Sequence, residues 1–181
     1  MPNVTMRAAR ACDAAEVAAD VVVGSAYPYL TSLRRWARRH PLITVHENVG
    51  HMEQLMARAD IAIGAPGSAT WERCSLGLPA IVVVLADNQA RIAEAVVRAG
   101  CAVSAGWHHD VDVRDLVNMI QHLKQSPSRV RAMSAAAWQV TDGMGVYRVV
   151  DTIEVMCAAR ADMRTMPGQW GDGSVVPMTV D

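Results

Sequence analysis

Five short apolar runs, at residues 21–23, 42–45, 61–63, 81–84 and 101–103, constrain this chain more than anything else in it. Each is short, rich in Val and Ile, and apolar on both faces, which is how a parallel strand covered on both sides reads. Between them lie segments of helical composition, at 29–39, 51–58, 69–76 and 88–99. Strands alternating with helices predict an α/β fold built on a doubly wound parallel sheet, a Rossmann-like half. After Val103 the pattern turns helical. Val113, Leu116, Val117, Ile120 and Leu123 form one stripe of a helix over 111–125, with Asp110 or Asp112 as its cap. Pro127 starts another helix that ends at Trp138, a turn follows at 141–145, and a last helix covers 146 to about 160. Residues 4–19 also read as helix, and no strand precedes them, although a βα sheet normally opens with one.

Composition narrows the function classes. With 181 residues and 51% hydrophobic side chains, the chain is long enough for one domain with a real core. The 17 basic and 18 acidic residues leave a net charge of -1, with no electrostatic footprint for nucleic acid. No apolar run reaches the roughly 20 residues of a membrane span, and residues 1–7 lack the apolar core of a signal peptide. Cys12, Cys74, Cys101 and Cys157 are far apart, and read as free buried thiols in a reducing compartment. The expected location is cytoplasmic.

The chemistry concentrates at 64–79. An apolar strand runs into Gly64-Ala-Pro-Gly-Ser68, and a helix opens with Ala69, Thr70, Trp71 and Glu72. Small residues at such a junction leave backbone N–H groups bare, and a Cβ would hold a phosphate away from them. On one reading Gly67, Ser68 and Ala69 take a diphosphate through their amides, with the hydroxyl of Ser68 or Thr70 in support. Glu72, a turn further on, takes ribose hydroxyls. On the other, the segment is a tight turn with Ser68 as N-cap and Glu72 as a first-turn acid. The pattern is neither Gly-x-Gly-x-x-Gly nor a P-loop.

A second cluster, Asp87, Asn88 and Gln89, follows the fourth apolar strand, where the carboxyl ends of parallel strands line a ligand crevice. These side chains suit sugar hydroxyls or an acetamido group, or else cap a helix. His46 and His51 match no metal-ligand spacing and read as a base-contacting or structural loop. His108, His109 and Asp110 read as a loop and cap, and 24–28 as a strand-exit turn. No catalytic triad, metal or cofactor site is visible.

The run 59–89, with Gly-Ser-Ala-Thr-Trp-Glu-Arg-Cys at its centre, resembles the UDP-sugar hydrolases of pseudaminic acid biosynthesis. So do 22–28, 46–49 with 56–60, and 141–148, and the resemblance spans about 17–155. That family shares the GT-B fold with glycosyltransferases. The resemblance implies a UDP-sugar substrate, held through Gly67, Ser68, Thr70 and Glu72, beside the amide of Ala69 that the turn offers, with Asp87 (in place of the family's Glu), Asn88 and Gln89 facing the sugar. It makes Asn88 the residue that orients substrate near the reacting carbon. Pro66 stands where the family usually has a glycine, which removes one amide. The family's N-terminal domain, with its catalytic histidine, has no counterpart here, and neither does a first strand between the strands at 21 and 61. The expectation is therefore a nucleotide-sugar-binding domain at 1–160 and a flexible tail at 161–181. The general base would come from a separate N-terminal half, and the activity would be release of UDP by hydrolysis. The alternatives are the donor-binding domain of a UDP-sugar glycosyltransferase, or a non-catalytic remnant.

Overall fold

The computed structural model describes residues 3–165, and side chains as far as 160. In chain order the elements are α1 (Val4–Ala14), β1 (Ala19–Val23), α2 (Leu30–Ala37), β2 (Ile43–Glu47), α3 (Met52–Arg58) and β3 (Ala62–Gly64). Then come α4 (Ala69–Ser75), β4 (Ala80–Val84), α5 (Asp87–Arg98), β5 (Ala102–Trp107), α6 (Val113–Lys124), α7 (Pro127–Trp138) and α8 (Gly145–Thr165). Residues 1–143 form one compact unit, and α8 belongs to a second. The tail expected from 161 onward begins inside α8, and 166–181 lie outside the described residues.

All strand pairs are parallel, as α/β alternation requires, but they form two sheets. β1 pairs with β2 from Ala19↔Ile43 to Val23↔Glu47. β3, β4 and β5 form the second sheet, in that order. A bulge between Val82 and Val83 shifts the β4–β5 register. No strand of the first sheet is bonded to one of the second, and the resemblance implied an absent strand between β1 and β3. In a parallel ladder alternate residues point their main-chain groups to opposite sides. Ala19 donates to Leu42 O and Ala62 to Pro79 O. Val22 and Ile63 therefore turn their N–H and C=O groups to the open side.

That division corrects one expectation. Only β4 is buried along its whole length. β1 and β2 are only half-covered: each has an open edge, and they carry Asp20 and Thr44, His46 and Glu47 among their apolar residues. One apolar core nevertheless joins both sheets, with Val23, Leu33, Ile43, Ile81, Val83, Leu116 and Ile120 within it. At roughly 1.5–3 kcal/mol for each large apolar side chain buried, this core is what holds the two sheets in one body.

The opening helix is packed rather than loose. α1 buries Ala9, Ala11 and Cys12 and lies against α6. Arg7 Nη1 donates to His108 O and Val111 O, both at 2.7 Å, tying α1 to the loop after β5. Asp112, not Asp110, caps α6, in a reciprocal capping box with Asp115. Cys12, Cys74 and Cys101 are buried, but Cys157 is exposed, contrary to the expectation of four buried thiols.

Candidate functional site

The turn between β3 and α4 leaves β3 at Gly64 and is anchored from below by Pro66, which is fully buried. Thr70 N–H bonds Gly67 O at 3.0 Å and Trp71 N–H bonds Ser68 O at 3.1 Å. The N–H groups of Gly67, Ser68 and Ala69 have no partner within the described chain. Ser68 occupies the N-cap position, but its side chain makes no cap bond and is exposed. The turn thus presents three consecutive free donors and one free hydroxyl. A simple tight turn capped by Ser68 would have used that hydroxyl.

Thr70 points the other way. It is 3% exposed, and its Oγ1 accepts from Arg73 Nη2 at 3.1 Å. The same nitrogen donates to Ala65 O at 3.0 Å. Arg73 is only 6% exposed, and among the described residues its Nε has no partner and it forms no ion pair. Burial lowers its affinity for a proton. Sequence reasoning passed over Arg73. The signal was the helical period, which puts position 73 on the same inward face as 70.

Glu72 is exposed and lies on the opposite side of α4 from that buried face. With Met52, Glu53 and Met56 of α3 and with Ser75 and Leu76, it lines a surface cleft of about 270 Å³. A carboxylate at the wall of a cleft, with no cation bonded to it, is placed to accept hydroxyl donors.

The second cluster lies at the carboxyl end of β4. Asp87 and Asn88 are exposed in the first turn of α5, whose N-cap is Ala86. Neither acts as a cap. Gln89 Oε1 accepts from Leu85 N–H at 2.9 Å, so its carbonyl holds the loop, while its amide NH₂ makes no bond among the described residues.

In the histidine loops, His46 and His51 meet carboxylates of the chain. His46 Nε2 is 2.6 Å from Asp20 Oδ1, and Arg58 Nη2 is 2.8 Å from Asp20 Oδ2. The His46 hydrogen bond and the Arg58 guanidinium hold the Asp20 carboxyl below its ordinary range. His51 lies 3.1 Å from Glu53. His108 is fixed by its backbone between Val84 O and Arg7. The turn at 24–28 is closed by Tyr27 N–H on Gly24 O, and Tyr27 Oη meets Asn3 Oδ1 at 2.5 Å. Among the described residues no group of three or more His, Cys, Asp or Glu could hold a metal, and no helix is long and apolar enough to cross a membrane.

Residues 18–152 match the family model of the glycosyltransferase family 28 C-terminal domain. The spore coat polysaccharide biosynthesis protein SpsG of Bacillus subtilis (strain 168) is 26% identical over 133 residues, which is 74% of this chain and 39% of that protein. Two solved structures share the fold. WaaG, a glycosyltransferase involved in lipopolysaccharide biosynthesis, superposes with a TM-score of 0.62 at 16% identity, over 84% of this chain and 42% of that one. The glycotransferase of kitacinnamycin superposes with a TM-score of 0.58 at 21% identity, over 80% and 38%. The chain therefore spans about two fifths of the length of these relatives.

Proposed function

The chain belongs to the family of glycosyltransferase family 28 C-terminal domains, and from that premise we propose that it is the donor-binding domain of an enzyme that moves a sugar from UDP. The observation that carries the reading is the set of free amides at Gly67, Ser68 and Ala69. In this reading they take the diphosphate, with the Ser68 hydroxyl beside them. As the bond between sugar and diphosphate breaks, negative charge grows on the departing UDP, and donors already fixed in place stabilise it without reorganising. Glu72 accepts two ribose hydroxyls at the wall of its cleft. Thr70, turned inward, serves by holding the turn rather than by touching phosphate. Asp87, Asn88 and the free NH₂ of Gln89 face the sugar, and Asn88 orients it at the reacting carbon. The acceptor, and the group that removes its proton, belong to a second domain, because the relatives are more than twice as long as the matched segment.

A second reading makes water the acceptor. The likeness of 59–89 to the UDP-sugar hydrolases favours it, and every placement above is kept. Transfer stands first because the matching family and both structural neighbours are described by glycosyl transfer.

Calorimetric titration of the chain with UDP tests the binding site. The expected result is weak, saturable binding and no turnover of a UDP-sugar by the chain alone. Absence of binding, or real turnover by the chain alone, overturns the reading. With the second domain supplied, donor consumption that rises with added acceptor identifies transfer, and acceptor-independent release of UDP identifies hydrolysis.

A further inference from the structure

Among the described residues Arg73 makes no ion pair, and the carboxylate that acts on its charge, that of Glu72, is exposed on the other side of α4 and screened by solvent. Arg73 itself is buried, with Cys74, Cys101, Leu78 and Val82 around the small hollow it shares with Thr70. Its two hydrogen bonds go to neutral oxygens, at Ala65 and Thr70. Burial pushes the Cys74 thiol up to about 12, so that sulfur stays neutral and supplies no counter-charge. A buried cation held only by dipoles is costly, and replacing such a group by an apolar one of similar size is often neutral or stabilising for the fold. Arginine at such a position therefore calls for a reason other than packing.

The geometry supplies one. Ala65 precedes the three free amides and Thr70 follows them. One nitrogen, Arg73 Nη2, is bonded to both, so it ties the two ends of the 65–70 segment together from behind. A Cβ at Gly64 would stand 3.0 Å from Nη1, so the guanidinium also lies close under the strand exit. We infer that Arg73 is a positioning residue, which fixes the curvature of the 65–70 turn for a diphosphate and sets a buried positive charge, bonded only to neutral oxygens, behind it. The inference rests on the reading that the diphosphate sits on this turn. It adds a source of selectivity: the turn distinguishes the diphosphate of the donor from the bare nucleoside through a side chain that touches neither.

The test compares UDP with uridine, which lacks the diphosphate, on the whole chain by ligand-observed NMR competition. Wild type is expected to favour UDP. Arg73→Met should weaken UDP by about tenfold or more and leave uridine within about twofold, while the thermal midpoint without ligand does not fall. Arg73→Lys, which keeps the charge but not the planar fork, should recover part of the preference. An unchanged UDP-to-uridine ratio in Arg73→Met overturns the inference, and so does an equal loss of both ligands, which a purely structural role predicts. Should Arg73→Met not fold, Arg73→Gln against Arg73→Lys reads the same ratio, and equal ratios in those two overturn the inference. A wild-type chain that binds no UDP overturns the donor-site reading itself, and this inference with it. A wild-type chain that favours UDP, beside an Arg73→Met chain that favours it equally, removes only the role of Arg73.

Discussion

Glu72 and Arg73 are neighbours with opposite fates. The first is exposed at a cleft wall, and the second is buried under the turn. Because the Glu72 carboxylate makes no hydrogen bond or ion pair among the described residues, Glu72→Ala should leave the melting temperature unchanged. If the carboxylate takes two ribose hydroxyls, the same change should lower UDP affinity by about tenfold. Unchanged affinity would return Glu72 to the role of a first-turn acid. Asp20 gives a pH prediction of known sign. Its folded value is depressed below the ordinary 3.8, through the His46 hydrogen bond and Arg58. The pair therefore stabilises the fold above about pH 4 and loses that contribution as the pH falls further, through the depressed value. The carboxylate is a third exposed, so solvent screening limits the gain to below about 1 kcal/mol. Asp20→Asn should be slightly less stable than wild type at pH 6, and the difference should shrink as acid unfolding is followed below pH 4. The free amides of 67–69 were legible from glycine and serine at a strand-to-helix junction. Arg73 was not, because a charged residue is ordinarily exposed and nothing local announces its burial.

At the scale of elements, composition located most strands and helices to within a few residues, since period and breakers are local properties. α5 begins at Asp87 and α7 starts at Pro127, close to where the pattern put them. What composition could not supply was how much of each strand is covered. The Val21–Val23 run of β1 is as apolar as β4, yet only β4 has neighbours on both edges, and neighbours are set by the rest of the chain. The connection from α4 to β4 offers an element-scale test. Gly77 sits at φ +64, and a Cβ there would run into the indole of Trp138 on α7. Backbone strain and steric overlap add, so Gly77→Ala should cost at least about 2 kcal/mol. Chemical denaturation would measure it. A change below half that size would mean that Trp138 moves aside at little cost.

At the scale of the whole molecule, the sheet is divided, and its halves are joined by side chains rather than by a ladder. The amides of Val22 and Ile63 face the open edges, whereas β4 is bonded on both sides. Hydrogen exchange should therefore be fast at Val22 and Ile63 and slowest in β4, and equal protection across all five strands would contradict the division. The same arrangement governs how the body comes apart. Since no main-chain bond crosses from β1 to β3, the ribbon of β1 and β2 can peel away with α2 while the three-stranded half, which carries the free amides of 67–69, stays closed. Heating should then proceed in two stages. The first would melt the ribbon and leave the grip on phosphate intact, so that ligand raises the second midpoint and spares the first.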